Sequence, residues 1–177
     1  MPEALLERTG AGAFPTSDGW FVVNARDTQW FESDELGFYA PFEGENARFV
    51  ELGFNLNILR PGEPGSMYHG EETQEDFLVL SGECLLIVEG QERKLRAWDF
   101  VHCPPWTAHV LVGAGDEPCL FVAVGARRKG RGIVYPANEV AIRHGAGVSE
   151  ETSDAREAYA AFSDTSPVPC PAEFPRG

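Results

Sequence analysis

Residues 75–88 read EDFLVLSGECLLIV and contain two apolar runs separated by a short turn. The first run covers residues 76–80, the second covers residues 84–88, and Ser81-Gly82 lies between them. A second turn follows at Glu89-Gly90. Two apolar runs joined so closely predict short strands in consecutive β-hairpins.

Further strand-like segments flank this stretch. In residues 49–59 the apolar side chains alternate with small or polar ones, and a period of two places the apolar set on one face of a strand. Additional strands are predicted near residues 94–95, 99–103, 109–112 and 119–124. The 19 glycines and 13 prolines supply many turns. Short strands at this spacing predict an all-β sandwich or a small closed barrel.

The chain divides into three parts by composition. Residues 1–45 form an N-terminal extension whose aromatic segments 20–23 and 29–31 are predicted strands that join the barrel. Residues 46–126 are the barrel itself. Residues 127–177 form a C-terminal extension that begins with the basic segment 127–131, predicted to be a solvated turn or an intramolecular partner for carboxylates.

The C-terminal extension is predicted to contain one short helix. Ala155, Ala158, Tyr159 and Phe162 recur at the spacing of one helix face, and Ser153 is placed to cap its start. This apolar face is expected to dock on the barrel or on another subunit. The proline-rich residues 167–171 are predicted to form an irregular, extended tail that lies on the surface or on a partner subunit.

Composition excludes several classes of partner. The formal net charge is −14, and such a polyanion is repelled by nucleic acid and by anionic lipid. We find no run of about 20 apolar residues, and the first residues lack the pattern of a signal peptide. The four cysteines form no C-x-x-C pair, and the three central ones are predicted to be small buried strand residues. We therefore expect a cytoplasmic protein that binds neither nucleic acid nor membranes.

Two of the four histidines occur in positions that suggest a metal site. His69 follows a loop rich in Pro and Gly and precedes Glu71 and Glu75, and His109 opens a predicted strand. Imidazole and carboxylate together suit zinc, iron, manganese or nickel. His102 alternates with apolar residues on a strand, so we predict that it is packed or hydrogen-bonded and not a ligand.

The region of residues 47–125 resembles the cupin superfamily of small double-stranded β-helix barrels, which typically bind a divalent metal. The first motif of this family is G-x5-H-x-H-x3,4-E-x6-G. Gly62 starts it, and its end matches Glu75 and Gly82. The second motif, G-x5-P-x-G-x2-H-x3-N, matches only Pro104 and His109. The resemblance implies an all-β cupin (jelly-roll) barrel with N-terminal strands and a short C-terminal helix and tail.

The chain departs from both motifs of the family. A three-residue spacer before Glu75 places His69 and Glu71 at the two histidine positions, whereas a four-residue spacer places Tyr68 and Gly70 there. We prefer the first alignment because it keeps one imidazole and substitutes an oxygen donor for the other. The set of predicted site residues consists of the metal ligands His69, Glu71, Glu75 and His109 and the pocket residues Tyr68, Phe77 and Leu111.

Tryptophan replaces glycine twice in the second motif, at Trp98 and Trp106, and Gly113 replaces its final asparagine. The two indoles either narrow the mouth of the pocket or pack under the N-terminal arm. For Tyr68 we expect packing at the rim of the pocket and not a role as an acid.

Two carboxylates inside a barrel need compensation, because an unpaired buried ion costs several kcal/mol. Either a cation balances Glu71 and Glu75, or one of them is protonated, or the loop lies at the rim and both stay solvated.

The resemblance implies a metal-binding protein that takes a small-molecule ligand. The first hypothesis is an enzyme, either an oxygenase or an isomerase or lyase on an oxygenated substrate, with one divalent ion (iron, manganese, zinc or nickel). The alternative is a non-catalytic module that binds or senses a small apolar or sugar-like ligand. A homodimer is expected, because pairing between subunits covers barrel edges.

Overall fold

The computed structural model describes residues 1–128 and 132–175. β-Strands predominate over helix in these residues, and the two helices that they contain are short. The strands are β1 (Leu6–Thr9), β2 (Gly12–Pro15), β3 (Trp30–Ser33), β4 (Gly37–Ala40), β5 (Leu52–Leu59), β6 (Gly70–Glu71), β7 (Glu75–Ser81), β8 (Glu83–Val88), β9 (Gln91–Arg96), β10 (Phe100–Cys103), β11 (His109–Ala114), β12 (Cys119–Ala126), β13 (Ile133–Val134) and β14 (Ser166–Val168). The helices are α1 (Glu139–Arg143) and α2 (Ala155–Ala158). The predicted all-β fold is confirmed.

Two antiparallel sheets enclose the main core. The larger has seven strands in the order β10-β7-β12-β5-β4-β3-β14, and the smaller has the order β11-β8-β9. Both sheets contribute apolar side chains to one buried cluster, which is the arrangement of a jelly-roll barrel. Three of its members are cysteines, Cys84, Cys103 and Cys119, and all four cysteines of the chain are unpaired.

The predicted hairpin at Ser81-Gly82 is wrong. β7 pairs with β10 and β12, whereas β8 pairs with β9 and β11, so the chain passes from one sheet to the other at this turn. Gly82 has φ 72°, and a Cβ there would lie 2.4 Å from the carbonyl oxygen of Pro118. Only glycine is accommodated at such a corner. The second predicted hairpin does form, between β8 and β9.

The alternation in β5 separates two different environments. Leu56 and Ile58 face a second core outside the barrel, where they pack with Trp30 of the N-terminal extension. Asn55 and Asn57 belong to the opposite face of the strand and line a cavity inside the barrel. The apolar set does share one face, as the period of two predicts, but the barrel interior at this strand is polar.

The N-terminal extension joins the seven-stranded sheet through β3 and β4, next to β5. The predicted strand at residues 20–23 does not form. Trp20 makes an isolated bridge with Glu3, and Trp20 and Val22 are largely exposed. Local aromatic and β-branched composition favours a strand there, but no neighbouring strand pairs with it.

The C-terminal extension returns to the barrel. Its strand β13 pairs with β6, and its tail contributes β14, which pairs with β3 at the edge of the large sheet. The prediction of an irregular tail is therefore wrong at Pro167, because an edge strand tolerates proline. The predicted helix is real but shorter, and Asp154, not Ser153, caps it. No helix in the described ranges is long and apolar enough to cross a membrane.

The basic segment begins with an intramolecular ion pair, which is one of its two predicted roles. Arg127 Nη1 lies 2.8 Å from Oε1 of Glu43, whose side chain is 1% exposed. Residues 129–131 of the segment lie outside the described ranges.

Candidate metal centre

Three of the predicted ligands meet inside the barrel. His69 Nε2 lies 3.4 Å and His109 Nε2 lies 3.1 Å from the same carboxylate oxygen, Oε2 of Glu75. One donor atom from each residue falls within 4.8 Å of the other two. His109 and Glu75 are the first residues of β11 and β7, and His69 directly precedes β6. The barrel strands therefore bring together residues that are up to 40 positions apart in the sequence.

Backbone carbonyls orient both imidazoles. The carbonyl oxygen of Met67 lies 2.7 Å from Nδ1 of His69, and that of Thr107 lies 2.9 Å from Nδ1 of His109. A carbonyl only accepts hydrogen bonds, so each Nδ1 carries the proton that it donates. In the neutral ring this leaves the Nε2 lone pair free, which is the usual arrangement of a metal-bound histidine.

The donor atoms are buried without a partner that satisfies them. Within the described residues, Glu75 Oε2 and His109 Nε2 are buried side-chain atoms that make no hydrogen bond. Two lone pairs aimed at each other repel unless a cation or a proton lies between them. Two imidazoles and one carboxylate form a donor set that binds Zn²⁺ or Fe²⁺. The residues present therefore fit a divalent metal ion.

Without a metal, the same atoms hold a proton. Burial acts to lower the pKa of His109, but its contacts with Cys103 and Glu75 outweigh burial and raise the pKa to about 10. Burial acts to raise the pKa of Glu75, but the His109 and His69 imidazoles outweigh burial and lower the pKa to about 2. In the metal-free site a protonated His109 is therefore paired with an ionised Glu75. A divalent cation would displace the proton.

A small cavity of about 130 Å³ opens beside the three donors. Phe77 and Leu111, both predicted pocket residues, line it. Asn55, Asn57 and Ser66 also line it and were missed. The available signal for the asparagines was the alternation in β5, in which both occupy the face opposite the apolar residues.

Two other predicted site residues lie elsewhere. Glu71 is buried on β6, and its Oε1 accepts a hydrogen bond of 2.6 Å from the Thr73 hydroxyl. Glu71 is not in the three-residue group, so its role as a fourth ligand stays a prediction. Tyr68 does not line the cavity, because its ring packs in another cluster and its hydroxyl accepts from the Gly90 N–H. His102 is hydrogen-bonded to Asp76 at 2.6 Å, as predicted.

The two tryptophans at the family's glycine positions keep a glycine-like backbone. Trp98 has φ 76° and Trp106 has φ 69°, both in the left-handed region that glycine adopts without strain. Their side chains are 74% and 53% exposed, and neither lines the cavity. The structure thus shows neither a narrowed pocket mouth nor packing under the N-terminal arm.

Comparison with known proteins agrees with this barrel. Residues 55–125 match the family model of the cupin domain. This chain carries a cupin domain. The sugar phosphate isomerase of the cupin superfamily from Silicibacter pomeroyi superposes with a TM-score of 0.51 at 22% identity, over 58% of this chain and 71% of that one. At that identity the likeness concerns the fold alone.

Two curated proteins are similar to the cupin region. Glucose-6-phosphate isomerase of Pyrococcus abyssi is 31% identical over 42% of this chain and 46% of that protein. Gentisate 1,2 dioxygenase 1 of Aquipseudomonas alcaligenes is 27% identical over 41% of this chain and 21% of that protein. The chain thus spans less than half the length of either relative.

Proposed function

We propose that this cupin protein is a metal-dependent enzyme that acts on a small oxygen-containing molecule. The observation that carries the proposal is the convergence of three donor atoms, from His69, Glu75 and His109, inside the barrel and beside an adjoining cavity. Without a metal these atoms must hold a proton between them, and a divalent cation would take its place. We favour a catalytic over a purely structural role for the metal, because three protein donors leave coordination positions open for substrate.

The chain's own residues suggest how a substrate would be held. A divalent ion in this site would polarise a substrate oxygen, and iron would in addition support chemistry with dioxygen. The side-chain amides of Asn55 and Asn57 can donate to and accept from hydroxyl and carbonyl groups. Phe77, Leu111 and Phe121 form an apolar wall that limits the entry of water.

The cavity favours a small substrate. A volume of about 130 Å³ is well below the several hundred Å³ of pockets for larger ligands. Among the described residues that line it, no Lys or Arg is present to neutralise a phosphate. We therefore favour an unphosphorylated substrate, although similar proteins include isomerases of phosphorylated sugars.

Two reaction classes remain, and metal reconstitution separates them. The donor set and the dioxygenase relative favour oxygenation with Fe²⁺, whereas the isomerase relatives favour proton transfer with Zn²⁺ or Mn²⁺. Metal-free protein is loaded with one of these ions, and dioxygen uptake and carbonyl isomerisation are measured on a panel of small hydroxy-carbonyl compounds. His109→Ala is the inactive control. Ligand binding without turnover by any metal form would favour the non-catalytic alternative.

We also propose that the protein is a homodimer that uses the outer face of the large sheet. Leu52, Phe54 and Phe100 are exposed on this face, and Trp98 is exposed at its corner. Covering these four side chains on two copies buries about 800 Å² of apolar surface, which with a polar rim approaches a standard interface. Light scattering on Phe100→Glu should show a monomer where the wild type shows a dimer.

A cytoplasmic location also stays a prediction, consistent with the four unpaired cysteines.

A further inference from the structure

The segment that precedes His69 is held from outside the cupin domain. The backbone N–H of Met67 donates to the Tyr159 hydroxyl oxygen at 3.0 Å, and the backbone N–H of Tyr68 donates to the carbonyl oxygen of Ala146 at 2.6 Å. Tyr159 directly follows α2, and Ala146 follows α1. Both lie in the C-terminal extension, beyond the matched residues 55–125.

These contacts continue to the metal-binding imidazole. The carbonyl of Met67, which accepts the bond from His69 Nδ1, belongs to the same peptide group as the Tyr68 N–H that binds Ala146. Met67 is thus fixed at its N–H by Tyr159 and at its following peptide by Ala146. The carbonyl that sets the direction of the His69 ring cannot move independently of the C-terminal extension.

Aromatic packing keeps the Tyr159 hydroxyl in place. The Tyr135 ring lies 5.9 Å from the His69 ring and 5.9 Å from the Tyr159 ring, which it meets at 90°. The Phe162 ring also packs against the Tyr159 ring, with the two ring centroids 5.8 Å apart. Met67 and Tyr135 are each 3% exposed, and the partly buried Tyr159 and Phe162 pack against them.

We propose that Tyr159 is a positioning residue for the metal centre, acting through Met67 on the orientation of His69. The inference rests on the proposed function, because it requires that His69 binds the metal. Partners that orient a metal-binding histidine typically contribute 10–100-fold to metal affinity. His109 differs from His69, since its orienting carbonyl, that of Thr107, lies within the cupin domain.

The test compares two substitutions in the full-length chain. Tyr159→Phe removes the hydroxyl and keeps the ring, whereas Phe162→Leu loosens the same aromatic cluster and keeps the hydroxyl. The dissociation constant for Co²⁺ is measured by chelator competition, the visible spectrum of the Co²⁺ form reports ligand geometry, and thermal unfolding of the metal-free protein reports stability. We expect Tyr159→Phe to bind Co²⁺ about 10-fold more weakly with an altered spectrum, the lower end of the range for direct partners, because Tyr159 acts through Met67. Phe162→Leu should unfold at a lower temperature yet stay much closer to the wild-type affinity and spectrum than Tyr159→Phe, because the hydroxyl and its ring contact with Tyr135 remain.

Three outcomes would count against the idea in different ways. Unchanged affinity and spectrum in Tyr159→Phe would overturn the role of the hydroxyl. Equal losses of affinity in both variants, in step with their losses of stability, would show a merely structural role for the cluster. A wild-type chain that binds no Co²⁺ would contradict the proposed function itself and the inference with it.

Discussion

His69 and His109 are joined to each other by two backbone hydrogen bonds. The N–H of His69 donates to the carbonyl of His109 at 3.1 Å, and the N–H of His109 donates to the carbonyl of His69 at 2.8 Å. Residues that pair directly across an antiparallel bridge project their side chains to the same side. The two ring centroids are 5.1 Å apart as a result. The spacing of the two nitrogen donors is thus set by backbone pairing and not by a flexible loop.

Removing any one of the three donors should remove most of the bound metal. Alanine variants of His69, Glu75 and His109 are each expected to lose stoichiometric metal while remaining folded, because the apolar strands carry the stability of the barrel. Elemental analysis of proteins purified in parallel measures this loss. His102→Ala, on the outer side of the sheet, is the matched control and should retain metal. Full metal content in His109→Ala would contradict the site.

The metal-free protein should be most stable in mildly acidic solution. The pKa of His109 is raised from 6.5 to about 10, so its pairing contributes fully below pH 6.5 and is lost as the pH rises toward 10. The pKa of Glu75 is lowered from 4.5 to about 2, so its contribution is complete above pH 4.5 and is lost as the pH falls toward 2. Urea unfolding after chelator treatment should therefore give a lower midpoint at pH 9 than at pH 6. His109→Gln should remove most of this alkaline loss, and an equal loss in that variant would assign the effect to other groups.

Glu71→Gln distinguishes the two roles considered for Glu71. The hydrogen bond from Thr73 and the position of Glu71 outside the three-donor group lead us to expect that the variant keeps its metal. Its loss of stability should be about 1–3 kcal/mol, the range for perturbing a buried hydrogen-bonded group. Metal content and urea unfolding are measured together. A loss of metal comparable to that of Glu75→Ala would instead make Glu71 the fourth ligand.

The left-handed backbone at Trp98 should make glycine the better residue there. Trp98→Gly and Trp98→Ala both remove the exposed indole, but only glycine adopts φ 76° without strain. We expect the glycine variant to be more stable than the alanine variant by about 1 kcal/mol in urea unfolding. The control is Ala97→Gly, at a residue whose φ is not positive. There, replacing alanine by glycine should lower the free energy of unfolding. Equal stability of the two Trp98 variants would show that the turn relaxes.

Arg127 should be needed to balance a buried carboxylate. Glu43 is paired with Arg127 at 2.8 Å and more loosely with Arg48 at 3.5 Å. Arg127→Met leaves Glu43 with the weaker pair, and we expect a loss of about 1–3 kcal/mol in urea unfolding, because uncompensated buried charge is destabilising. Adding Glu43→Gln should recover part of that loss. No recovery in the double variant would indicate that the packing of Arg127, not its charge, matters.

Much of the barrel was predictable from local pattern. The strands β5, β7, β8, β10, β11 and β12 occur where alternation and apolar runs predicted them, because each must bury one face. Residue type and motif spacing also predicted His69, Glu75 and His109 as candidate ligands, and the structure brings these three residues together. The failures were of pairing: the turn at Ser81-Gly82 reads like a hairpin, but its strands have partners at longer range in two different sheets.

The sequence alone determined which side chains are able to bind a metal and that the chain forms short strands. Only the tertiary structure decided which face of β5 points into the barrel and therefore that Asn55 and Asn57 line the cavity. It also decided that Tyr159, 90 residues beyond His69, touches the segment that orients the His69 imidazole. The physical reason is the distance along the sequence between the residues that interact. Alternation and chemistry are carried by neighbouring residues, whereas sheet partners and packing contacts depend on how distant segments cover each other's apolar surface.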